Sequence, residues 1–230
     1  MERMTFTRPT RRALLTGSGA ALLLTLSGCA SYGQYSLVTA IRRLLELSAD
    51  RAFARLLAPG GFWDNALVRL ELPEVFGTRG TVLQTILAST MVRDRLWRAL
   101  NDVAQEGARN AAPVLADTVR TIGIRNAIAL IKGDPAAATS YLRQEMGVRL
   151  VDLMVPQIGE GLRFARDPVV GQAIAALTGY NAAAVADDLA RQADDAIWGE
   201  IGRQEAAIRA NPQETRDPAI IAIFGPAARL

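Results

Sequence analysis

Few side chains in this 230-residue sequence are equipped for chemistry. There is one cysteine, Cys29, one lysine, Lys132, and no histidine. Without histidine the usual general base near neutral pH is missing, and so is the commonest transition-metal ligand. Ser–His and Cys–His nucleophile pairs are excluded, as are zinc sites built from Cys and His. No serine stands in a recognisable motif with Lys132. The densest ionisable group is "DDLARQADD", where Asp187, Asp188, Asp194 and Asp195 flank Arg191 at helical spacing. Their oxygens would suit a hard divalent cation. Pairs at i,i+3 and i,i+4 on a solvated helix face, each contributing about 0.2–0.5 kcal/mol, account for the same pattern. We read the cluster in that second way, with all four carboxylates within reach of Arg191. The expectation is no metal, no cofactor and no enzymatic activity.

The cysteine has a more specific setting. Arg3, Arg8, Arg11 and Arg12 precede an apolar run from Ala13 to Leu26, followed by Ser27, Gly28 and Cys29. A basic region, an apolar region and small residues in that order make a secretory signal peptide. The run is shorter than the roughly 20 apolar residues of a membrane span and is diluted by Gly17, Ser18 and Gly19. Leu26-Ser27-Gly28-Cys29 resembles a bacterial lipobox, in which the cysteine thiol receives a diacylglyceryl group and becomes the new N-terminus. Residues 1–28 are thus read as a cleaved lipoprotein signal peptide. Residues 29–36 are the lipidated cysteine and a short tether, and 37–230 the folded domain. Each buried methylene contributes about 0.8 kcal/mol, so two or three acyl chains would anchor the protein firmly. Ala30 after the cysteine favours the outer membrane over the inner. Arg11-Arg12 within "TRRALL" resembles a twin-arginine export signal; a basic region serving the general secretory route remains open beside it.

Removing the leader changes the charge argument. Residues 1–28 hold four of the 26 basic residues and one of the 23 acidic ones, leaving 22 of each. A formally neutral domain has no electrostatic footprint for nucleic acid, and none is expected as a partner. "GSG" at 17–19 belongs to the leader, and "PGG" at 59–61 lacks the strand-to-helix context of a phosphate loop.

The elements that must position these residues read as helices. Val38, Ile41, Leu45, Phe53 and Leu56 mark a helix over 37–57, ended by Pro59, Gly60 and Gly61. "ALVRLELP" alternates briefly and suggests an extended stretch ending at Pro73. A helix is expected over 81–109, a second opened by Pro113, and a short one over 126–131 stopping at Gly133. Asp-Pro at 134–135, 167–168 and 217–218 reads as three helix starts, aspartate accepting from free amides and proline at the first position. Pro156 should kink or divide 136–164, and a long helix over 182–209 should close at Asn211-Pro212. "AIIAIFG" should dock on the body, and Trp63 and Trp198 should be core or interface aromatics. The fold class is all-α: a single compact domain of six to nine helices.

Three stretches together carry a resemblance. They are Asn65 to Pro73, "GDPAAATSYLR" over 133–143 and "EAAIRANPQETR" over 205–216. They resemble, in order, the motifs of a bacterial envelope family, domain of unknown function 4197. Met146, Gln204 and Asp217-Pro218 depart from its pattern. The family has no assigned activity, so the resemblance implies a helical lipoprotein domain and no mechanism. Its motif residues here are Asn65, Arg69, Pro73, Asp134, Thr139, Arg143, Glu205, Arg209 and Arg216. The four arginines could converge on an anionic headgroup or a partner's carboxylates, or pair with internal acids such as Asp134 and Glu205; the internal pairing is our reading.

Two functional readings follow. The first is a membrane-anchored interaction module that docks on another envelope protein. The second is a carrier or sensor holding an apolar ligand, a lipid or quinone, between its helices.

Overall fold

The structure, a computed structural model, describes residues 32–72, 88–164 and 168–225. The leader, its Arg11-Arg12 pair, Leu26, Ser27, Gly28 and Cys29 lie outside these residues, as do Pro73 and Asp167. The described residues form α1 (Tyr32–Leu56), α2 (Thr90–Thr121), α3 (Ala127–Lys132), α4 (Ala137–Met146), α5 (Arg149–Arg163), α6 (Pro168–Ala210) and α7 (Pro218–Phe224). A 3-10 turn, Pro212–Thr215, joins the last two. No strand occurs among the described residues, and the fold is all-α in one compact domain, as the helical periodicity implies.

Each long helix buries a stripe at helical spacing. On α2 it is Leu96, Leu100, Ala104, Ala108, Ala111, Leu115 and Val119; on α5, Leu150, Met154, Ile158 and Leu162. Burial of each leucine, isoleucine or methionine contributes about 1.5–3 kcal/mol. Helices α2 and α6 are central, each packing on both α1 and α5. Alpha1 and α2 run antiparallel: Arg42 of α1 donates to the Ile122 carbonyl, while Gln105 of α2 donates to the Leu57 and Ala58 carbonyls. Two glycines bring α2 and α5 close. A Cβ on Gly161 would lie 2.8 Å from Val103, and one on Gly107 would lie 3.0 Å from Ile158.

Several boundaries differ from the sequence reading. Alpha1 begins at Tyr32, so residues 32–36, read as tether, are helical. Pro113 opens no helix; it sits inside α2, exposed, while Ala111 and Leu115 on either side are buried. Its ring points outward, and the helix sacrifices only the bond to the Arg109 carbonyl. Pro156 likewise lies on the exposed side of α5 without dividing it. The break in 136–164 falls at Gly147, whose φ of +56° suits glycine. The last long helix starts earlier than expected, at Pro168, and runs 43 residues to Ala210. Residues 66–68 form a turn and 69–72 are irregular, with no ladder partner among the described residues.

Candidate functional site

Glu205 is fully buried on α6, and its carboxylate meets the start of α4. One oxygen accepts from the Ala138 amide at 3.1 Å; the other accepts from the Thr139 amide at 2.7 Å and the Thr139 hydroxyl at 2.6 Å. One turn on, Arg209 Nε donates to Glu205 at 2.8 Å. The same guanidinium donates to the Leu130 and Ile131 carbonyls, at 2.9 and 3.0 Å, in the last turn of α3. It lies 4.8 Å from the centroid of the Phe224 ring. A carboxylate thus satisfies free amides at a helix start, and a cation satisfies free carbonyls at a helix end, both in the sense the helix dipoles favour.

This arrangement corrects the reading of Asp134-Pro135. The N-cap of α4 is Ala136 and makes no side-chain bond; the acceptor comes from Glu205, on another helix. Asp134 is exposed and pairs with no arginine among the described residues. Asp217-Pro218 does what the pattern implies: Asp217 caps α7, accepting from the Ala219 and Ile220 amides, and also takes Arg43 at 3.0 Å. Burial would raise its pKa, but the bonds from Arg43, Ile220 and Ala219 outweigh that and hold it below the usual carboxylate value.

The aspartate cluster is divided between two arginines. Arg191 holds Asp187 at 2.8 Å, whereas Asp188 accepts from Gln192. Asp194 and Asp195 turn instead to Arg143 of α4. The four carboxylates therefore do not share Arg191, because α4 packs beside the second pair. Asp194 is buried and also accepts from Trp198 Nε1 at 2.9 Å. Burial raises its pKa despite Arg143 and Trp198, with the Asp195 charge adding to the rise. Among the described residues no group of three or more acidic, cysteine or histidine side chains is placed to hold a metal.

At the other end of α1, Asn65 folds the motif loop: its side chain accepts from the Leu67 amide, and its carbonyl from the Val68 and Arg69 amides. Arg69 donates to the Trp63 carbonyl and lies 4.8 Å from the Trp63 ring centroid. Trp63 meets Trp97 edge to face at 5.5 Å. Asn101, buried on α2, accepts from the Leu70 amide at 2.9 Å and donates to the Leu70 carbonyl at 3.3 Å. The sequence reading missed Asn101, Trp97 and Glu200. The signal for Asn101 was available, a polar residue beside Leu100 in an apolar stripe. Glu200 is 2% exposed and accepts from Gln204 at 2.7 Å and Arg203 at 2.8 Å. Gln204 thus supplies a donor where a glutamate would oppose the Glu200 carboxylate.

Of the four motif arginines, Arg69, Arg143 and Arg209 have internal partners and do not converge on one point. Arg216 is exposed, has φ +54° and makes no ion pair among the described residues. A different feature is open to solvent: a groove of about 430 Å³ between α1 and α2, lined largely by Ala49, Phe53, Leu57, Ala112, Pro113 and Leu115. It continues into a second recess of about 260 Å³, shared through Ala49, Asp50 and Ala116.

The chain belongs to the family described as protein of unknown function DUF4197, whose model matches residues 31–225. Comparison with curated proteins and with solved structures returns no match.

Proposed function

We propose that this chain is a lipid-anchored interaction module of the bacterial envelope, with no catalytic role of its own. In this reading Cys29 carries the lipid after residues 1–28 are removed, and the domain faces the periplasm, more at the outer than the inner membrane. The observation that carries the reading is the internal engagement of five of the motif residues. Glu205, Thr139, Arg209, Arg143 and Asn65 are engaged with partners inside the domain. They act on the shape of the helical body and are not poised for a reaction. Alpha1 begins three residues after Cys29, so the lipid and the helix can be at most about 10 Å apart along the chain. No described helix is long and apolar enough to cross a membrane, so in this reading the lipid makes the attachment.

A Cys29→Ala variant tests the anchor. It should accumulate with the leader uncleaved and without the added lipid mass. A variant that is processed normally and still sediments with membranes would contradict the anchor. The carrier reading draws support from the groove volume, which lies within the roughly 300–1,000 Å³ of small-molecule sites. Native mass spectrometry of the detergent-extracted protein separates the two: a lipid-sized adduct lost on denaturation favours the carrier.

A further inference from the structure

The groove between α1 and α2 extends from Glu46 to Leu57, just past the end of α1, eleven residue steps and about 17 Å, or three helical turns. Buried Ala49, Phe53 and Leu115 form its base, half-buried Leu57, Ala112 and Ala116 and exposed Ala54 and Pro113 surround them, and the four alanines are small enough for a third backbone to approach. Of its charged lining residues, Glu46 is paired with Arg43 and Arg120 with Asp117. Asp50, which lines both halves, has no ion pair or hydrogen bond among the described residues. The charged group left open here is therefore an acceptor.

We propose that this groove is the docking site for an amphipathic helix of a partner protein. That helix is about three turns long, lays an apolar stripe along the alanine-rich lining and presents an arginine or lysine to Asp50. Helix-in-groove recognition supplies affinity through the apolar anchors. The charge pair supplies selectivity, since a partner carboxylate opposite Asp50 would be repelled. This deepens the interaction-module reading and rests on it.

The test uses the full chain in nanodiscs of zwitterionic lipid, with empty discs as control. The probes are two fluorescent three-turn amphipathic peptides, identical except for one arginine replaced by glutamate. The arginine peptide should bind saturably, and the glutamate peptide at least about tenfold more weakly. Asp50→Arg should invert that preference. Ala116→Trp, which fills the groove where its two recesses meet, should abolish binding of both peptides while unfolding with an unchanged midpoint; should it fail to fold, Ala54→Trp at the groove's edge serves the same purpose. The proposal is overturned by equal affinities, by a preference that survives Asp50→Arg, or by equal uptake on empty discs. Blocking of the groove by the protein's own concentration-dependent association would also overturn it, in favour of a second copy. Those results refute the groove alone; the module reading fails separately, on the lipid-sized adduct described above.

Discussion

Glu205 and Arg209, one turn apart on α6, cap the two helices on either side of the Gly133–Asp134–Pro135 connection. Glu205 closes the start of α4 and Arg209 the end of α3. A single i,i+4 ion pair, 2.7 Å between Arg209 Nη2 and Glu205 Oε1, therefore fixes a junction formed by residues about 70 positions earlier. This is the physical reason that the stretches 133–143 and 205–216 belong together.

Breaking this pair should be costly. Glu205→Ala leaves three donors and a nearly buried guanidinium without their acceptor, and a broken buried pair typically costs about 3–5 kcal/mol. Thr139→Val removes one hydroxyl bond to a charged group and should cost about 1.5–3 kcal/mol. Urea unfolding of both variants measures this, and a loss below 1 kcal/mol for Glu205→Ala would contradict the assignment.

Asp194 gives a pH signature. Burial raises its folded pKa, with Arg143 and Trp198 opposing. For a carboxyl raised on folding, the associated stability is present below the unfolded value, near pH 4, and is lost as pH rises through the folded value. Asp194→Asn should flatten that decline in a stability–pH profile measured by urea unfolding. An unchanged slope would mean that Asp194 does not titrate in its buried place.

Asp217 acts in the opposite sense. Its folded pKa is depressed, burial being outweighed by bonds from Arg43 and the first amides of α7. Its stabilisation is present above the ordinary carboxylate value and is lost as pH falls through the depressed value. Asp217→Ala should cost about 1 kcal/mol at neutral pH, as a lost N-cap does. The gap from the parent protein should close in acid, as followed by thermal unfolding at several pH values.

Much of the architecture was legible in the sequence, because long helices write their buried stripe at i, i+3 and i+4. Ile41, Leu45, Phe53 and Leu56 are one example. The closing of α6 at Asn211-Pro212 and the cap at Asp217 were legible for local reasons: Pro212 cannot continue the helix, and the Asp217 side chain and the amides it serves are neighbours. What failed was whatever depends on a distant partner. Pro113 and Pro156 read as breaks, yet each faces outward from a helix whose buried residues hold both sides. Asp134 read as a cap, yet the acceptor is Glu205. Asp194 and Asp195 read as companions of Arg191, yet Arg143 arrives from α4. The groove was not legible at all, since it exists only where α1 and α2 come together.

The central claim is the lipid at Cys29, and mass spectrometry of the detergent-extracted mature protein under denaturing conditions tests it most directly. The account predicts a chain starting at Cys29 with the added mass of a diacylglyceryl group, with or without a further acyl chain. A chain that retains residues 1–28, or one that carries an unmodified Cys29 thiol, would contradict it.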